Sequence, residues 1–85
     1  MVSFKPFGAA LTELVRELED IYVTDRGLKI RTFAEVLPGV SPHELKAAVS
    51  GARAPSARLM EECARFLRVR PVYFREYREL ERLAA

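Results

Sequence analysis

The stretch GVSPHELKAAVSGARAPS, residues 39–56, holds a helix start, an amphipathic helix and a glycine stop. Ser41 can accept from the orphan backbone N–H groups of a helix beginning next to it, Pro42 suits the first helical position, and Glu44 completes a capping-box pattern. The spacing predicts a helix that starts at residue 42 and runs for about ten residues, an ordinary length. Within it Leu45, Ala48 and Val49 fall on one face, and His43, Lys46, Ala47 and Ser50 fall on the other. Gly51 is placed to end the helix in a left-handed cap, and Pro55 keeps the helical pattern from resuming before Ser56 caps the next segment.

Working outward, Thr32 and Glu35 make a second capping-box pattern ahead of Phe33, Val36 and Leu37, and Pro38-Gly39 then breaks the chain. Residues 32–50 thus read as helix, tight turn, helix. Toward the N-terminus, Pro6 can open a helix whose apolar positions Phe7, Leu11, Leu14, Leu18 and Ile21 recur at three and four. Thr24-Asp25-Arg26-Gly27 reads as a turn, and Leu28-Lys29-Ile30-Arg31 fits either an extended connector or an early start to the second helix. Downstream, a helix capped by Ser56 places Leu59, Met60, Cys63, Phe66 and Leu67 inward and Arg58, Glu61, Glu62 and Arg65 outward. A fifth helix, about 71–84, carries Tyr73, Tyr77, Leu80 and Ala84 on one stripe. The expected fold is all-α, a compact five-helix arrangement forming one domain over residues 1–85, with no internal repeat or dividing linker.

Eighty-five residues support one modest core and no deep catalytic pocket, so an enzyme is not expected. No apolar run approaches the length needed to span a bilayer, and the N-terminal residues lack the shape of a secretory signal, which predicts a cytoplasmic protein without a membrane partner. The single cysteine, Cys63, lies on an apolar stripe and reads as a buried thiol. His43 is the single histidine; with it and Cys63 alone there is neither a metal-ligand set nor a paired base and nucleophile, so neither a metal, a cofactor nor a small-molecule substrate is expected. The net charge of +2 says little by itself, but its distribution is uneven. Residues 31–70 carry +3, against −1 for residues 1–30 and zero for residues 71–85. The cationic excess coincides with the helix-turn-helix segment.

That segment resembles the lambda-repressor-like, or Xre-type, helix-turn-helix family. The matching positions are Phe33-Ala34 and Leu37 in the first helix, Gly39-Val40-Ser41 in the turn, Leu45 and Ala48 on the buried face, Gly51, Arg53 and Pro55-Ser56 after it, and Leu67-Arg68-Val69 before Tyr73-Phe74. Within the family the chain is most similar to the EspR-type nucleoid-associated regulators, whose Ser-Gly, Pro-Ser and Tyr-Phe landmarks have similar spacing. The resemblance implies a transcription regulator or nucleoid-associated protein that inserts residues 42–50 into the major groove of double-stranded DNA. It implies that His43 reaches base edges, with Pro42, Ala47 and Ser50 on the same groove-facing helix, and that Arg53 contacts the DNA backbone. Lys46 suits a phosphate or a guanine, Ser41 either caps its helix or meets DNA, and Arg31 and Thr32 lie where a helix start can hold a phosphate.

The sequence departs from the family pattern in ways that bear on readout. A glutamine common near the start of the second helix is absent, and Pro42, Ala47 and Ala52 stand where many relatives carry polar or basic side chains. Proline and alanine offer no hydrogen bond to a base edge, so phosphate contacts and DNA shape are expected to dominate. The stripe Tyr73, Tyr77, Leu80 and Ala84 is expected to pair two copies into a homodimer, because one short recognition helix rarely gives enough affinity alone. The alternative reading is a protein-interaction module, an adaptor or antitoxin-like partner, on the same scaffold; the alanines around residues 47–52 suit it.

Overall fold

The computed structural model of the chain describes residues 5–18, 22–24 and 26–84. Ile21 and Asp25, assigned above to the first helix and the following turn, lie outside the described residues, as does the side chain of Ala84. The fold is mostly helical. Its elements run α1 (Phe7–Leu18), β1 (Val23–Thr24), β2 (Gly27–Leu28), α2 (Ile30–Ala34), α3 (Pro42–Ser50), α4 (Ala57–Leu67), a 3₁₀ helix (Pro71–Tyr73) and α5 (Arg75–Ala84).

Among the described residues there are five α-helices, as expected, but a small antiparallel hairpin stands between α1 and α2, so the fold is not purely helical. Val23 pairs with Leu28 and Thr24 with Gly27. The turn is tied by Thr24 Oγ1, which accepts from the Arg26 N–H at 3.2 Å and donates to the Gly27 carbonyl at 3.3 Å. Extended chain therefore reaches Leu28, and the second helix begins at Ile30. Thr32 is not its N-cap: Lys29 holds that place without a side-chain hydrogen bond, and α2 ends before Glu35. Burial decides the start. Phe33 is fully buried, Ile30 is half-buried, and the rings of Phe33, Tyr22 and Phe66 meet edge to face with centroids 5.5–6.1 Å apart, which fixes the α2 register from outside the local cap chemistry.

In α1 the Pro6 carbonyl accepts from Ala10 N–H at 2.9 Å, so Pro6 precedes the helix rather than opening it. Phe7, Ala10, Leu11 and Val15 form the buried stripe, while Leu14 is half-buried and Leu18 is exposed. The predicted stripe through Leu14 and Leu18 is thus rotated toward Val15, because α1 packs against both α3 and α4. At the α1–α3 crossing Gly8 is indispensable: a Cβ there would lie 2.3 Å from the backbone oxygen of Val49. The core is closed by Phe7 and Phe74, both fully buried with ring centroids 4.9 Å apart. Burying each such side chain contributes roughly 1.5–3 kcal/mol.

The C-terminal segment is not one helix from Pro71. The chain makes a 3₁₀ turn over Pro71–Tyr73, becomes extended at Phe74 (φ −86, ψ 132), and only then enters α5. Drawing Phe74 under Phe7 breaks the helix, so Tyr73 does not share a continuous stripe with Tyr77 and Leu80. The start of α5 is bound to the start of α1: both Glu76 carboxylate oxygens accept from the Phe7 N–H at 3.0 Å, and Arg75 N–H donates to the Lys5 carbonyl at 3.2 Å.

Candidate functional site

The α3 helix takes its place from local chemistry. Ser41 is extended (φ −84, ψ 149) and its hydroxyl accepts from Glu44 N–H at 3.1 Å, Pro42 occupies the first turn, and Gly51 closes the other end at φ 84. The capping box is only half made, since the Glu44 carboxylate accepts from the Ser56 hydroxyl at 3.5 Å instead of returning to Ser41. This contact ties the first turn of α3 to the cap of α4, where Ser56 Oγ accepts from Leu59 N–H at 3.1 Å. Leu45 and Ala48 are buried and Val49 half-buried, whereas His43, Lys46 and Ser50 are exposed and Ala47 is partly so. The helix therefore presents the outward face that its sequence pattern predicts.

An open cleft of about 830 Å³ lies between the starts of α2 and α3. It is lined by Lys29, Ile30, Arg31 and Thr32 from one side and by Ser41, Pro42, His43 and Lys46 from the other. Six of the nine residues singled out from the sequence thus meet on one concave surface. Lys29, Arg31 and Lys46 bring three cations to it, no carboxylate lines it, and among the described residues none of the three has an ion-pair partner. Lys29 was missed by the sequence reading, although its position two residues before Arg31 at the mouth of the helix was a usable signal.

Arg53 is not part of that cleft. It lines a smaller hollow on the other flank of the α3 start, together with Glu44, Ser56 and Pro55, and its loop is shaped by an Arg53 N–H donation to the Ala47 carbonyl at 3.2 Å. Ser41 and His43 border both hollows. Ala47 and Ser50 lie farther along α3 and line neither; the Ser50 hydroxyl donates to the Ala47 carbonyl at 3.2 Å. The arrangement is a convex helix end flanked by two recesses, one cationic and one of mixed charge.

The residues expected to pair two copies are divided. Tyr73 and Leu80 are 43% and 41% exposed, but Tyr77 is half-buried against the core and its hydroxyl donates to Glu61 at 2.9 Å, an acceptor that pushes the phenol pKa up. Leu83, at 84% exposure, is the most exposed large apolar side chain of α5 and had not been singled out. Glu62, expected to point outward, has a side chain only 15% exposed; it leans toward Arg65 at 3.7 Å.

Cys63 is fully buried, and burial, with the nearby Glu62 and Glu44 charges, pushes its thiol up to about 12. Such a thiol stays protonated at neutral pH and is not a nucleophile. Among the described residues no group of three His, Cys, Asp or Glu could hold a metal ion, and no helix is long and apolar enough to cross a membrane. No protein family's sequence profile, no curated protein and no solved structure matches the chain.

Proposed function

We propose that the protein binds double-stranded DNA as a lambda-repressor-like helix-turn-helix regulator or nucleoid-associated protein, with α3 entering the major groove. The observation that carries this reading is the cleft between α2 and α3, where Lys29, Arg31 and Lys46 converge with no carboxylate among the lining residues. A surface that neutralises phosphates needs that charge composition. The α3 helix suits the groove as well: nine residues make a rod about 14 Å long, and an α-helix fits the width of the B-DNA major groove. In this arrangement Lys29, Arg31, Thr32 and Lys46 meet one phosphate strand, Arg53 on the opposite flank meets the other, and His43, Ala47 and Ser50 face the base edges. Ser41 is already engaged as the helix cap, which limits it to a shared contact with DNA.

Base readout is weak in this proposal because Pro42 and Ala47 have no hydrogen bond to give. Preference for a selected site over random DNA therefore falls near the low end of the roughly 10³ to 10⁷ range of specific binders. Two copies paired through α5, with Leu80 and Leu83 at the contact, would set two α3 helices about one DNA turn, roughly 34 Å, apart. Light scattering of the intact chain tests the pairing; a monomer at tens of micromolar excludes it.

The decisive experiment is binding to random and selected duplexes at two salt concentrations, with Lys46→Ala and Arg31→Ala beside the parent protein. Each substitution should weaken binding to all sequences alike and lower the salt slope by about one unit, as a lost phosphate contact does. A folded protein with no detectable affinity at low salt overturns the DNA reading and leaves the protein-interaction module in its place.

A further inference from the structure

His43 stands where the two recesses at the start of α3 meet and borders both of them. It is the single histidine of the chain, its side chain is exposed, and among the described residues its ring takes part in no hydrogen bond or ion pair. Histidine is the side chain that ordinarily passes from neutral to cationic between about pH 8 and pH 5. Side-chain carboxylates, lysine and arginine ordinarily keep their charge across that window. A fourth cation can therefore join Lys29, Arg31 and Lys46 on the cleft without any change in its other members.

The charged groups around the ring come from every element that forms the two recesses. Lys29 and Arg31 face it from the start of α2, Lys46 from the next turn of α3, and Arg53 from the loop after α3. Glu44 is the one carboxylate among the residues lining either recess, and it lies on the Arg53 side, where it accepts from the Ser56 hydroxyl. A proton placed on His43 in the free protein thus joins four cations and one carboxylate. Bound DNA reverses that setting, because its phosphates surround the added charge with anions. The protonated ring also has two donors and no acceptor, which suits phosphate oxygens and the paired N7 and O6 acceptors of guanine. A charge opposed in the free protein and favoured in the complex couples the two ligands: DNA strengthens proton binding, and the proton strengthens DNA binding by the same factor.

We infer that DNA binding by this protein is coupled to protonation of His43, so that the α3 surface holds DNA more tightly at mildly acidic than at mildly alkaline pH. The inference rests on the DNA reading of α3 given above and assigns a regulation to that same site. The cationic ring is the tighter-binding form, so affinity rises as pH falls and levels off once the ring of the free protein is fully protonated. One further cation on the duplex adds about 0.9 to the salt slope, which at about 0.1 M salt corresponds to roughly eightfold in affinity. The ring lies outside the caps and the buried face of α3, so its charge can change without repacking the helix.

The test measures affinity for one short duplex by fluorescence anisotropy at about pH 5.5 and about pH 8, over a series of salt concentrations. The parent is compared with His43→Gln, which cannot take the proton, and His43→Lys, which carries the charge at both pH values; circular dichroism checks each fold. The parent should bind roughly eightfold more tightly at the lower pH in about 0.1 M salt, with a salt slope larger by about one unit. His43→Gln should bind at both pH values with the weaker affinity and smaller slope of the parent at the higher pH. His43→Lys should hold the larger slope at both, a gain that simple loss of a ring contact does not produce. Parent affinity that does not change with pH overturns the inference. So does pH dependence that survives in His43→Gln, since any other group titrating in the window is still present there. A small salt slope in His43→Lys also overturns it, because the charge is then not what the duplex meets. Absence of binding by the parent at both pH values and low salt is the separate failure of the DNA reading, and removes the coupling with it.

Discussion

The α3 and α5 helices are similar in length, nine and ten residues, and both are amphipathic, yet they are attached to the molecule in different ways. Backbone and apolar contacts hold α3: Gly8 of α1 lies against the Val49 carbonyl, Leu45 and Ala48 are buried, and both ends carry a local cap. Among the described side chains of α5 none is fully buried; the helix is fastened by the Glu76 contact to Phe7 N–H, the Tyr77 contact to Glu61 and the half-buried Tyr77 ring. A helix whose outer face must meet a partner in fixed geometry gains from the first kind of attachment. The second kind holds a helix in place while leaving its apolar side, Leu80 and Leu83, available.

The contrast is broken most severely at Gly8. Gly8→Ala should destabilise the fold by about 3 kcal/mol, because the added methyl meets backbone that cannot rotate away, and the roughly 1 kcal/mol gained in helix propensity does not offset it. Thermal unfolding checks this, and a variant as stable as the parent shows that α1 and α3 can separate without loss. On the α5 side, Glu76→Ala removes the acceptor at the start of α1 and should cost about 1–2 kcal/mol. Denaturant titration reads that loss.

A third prediction concerns pH. The Cys63 thiol is raised from 9.0 to about 12 in the folded protein, so the thiol form is favoured by folding. Its contribution is complete below pH 9, where the unfolded chain also holds the proton, and it is lost as pH climbs from 9 toward 12. Cys63→Ala should flatten that alkaline decline relative to the parent, measured as melting temperature against pH. An identical slope in both proteins means another group is responsible. The smallest effect is expected at Tyr77→Phe, which removes an exposed hydrogen bond to Glu61 while keeping the ring on the core; melting should hardly change.

What the sequence made legible follows the same division. Ser41, Pro42, Gly51 and Ser56 act on backbone groups within a few residues of themselves, so their roles were readable from spacing alone. Thr32 failed as a cap because the burial of Phe33 against Tyr22 and Phe66 set the start of α2, and those partners are remote in the chain. The break at Phe74 was hidden for a similar reason: its ring is claimed by Phe7 at the other end of the sequence. In the cleft, Arg31, Thr32, Ser41, Pro42, His43 and Lys46 are singled out one by one from helix position and from the family resemblance, but their convergence with Lys29, and the exclusion of Arg53 to the opposite flank, depend on how α2 packs on α3. Short-range chemistry was visible, and long-range assembly was not.

The bond between Glu76 and the Phe7 N–H also bears on how the chain acquires its shape as it leaves the ribosome. The ring of Phe7 lacks its partner until Phe74 has emerged, and the α1 N-terminus lacks its acceptor until Glu76 has followed. Since α3 leans on α1 at Gly8, the cationic cleft has no finished support before that moment. A nascent chain stalled short of residue 76 therefore holds helices in search of a scaffold, and folding is completed in one cooperative step once that residue has emerged. Amide hydrogens in α1 and α3 should accordingly exchange through the same opening event, although Glu76 lies 26 positions after Ser50.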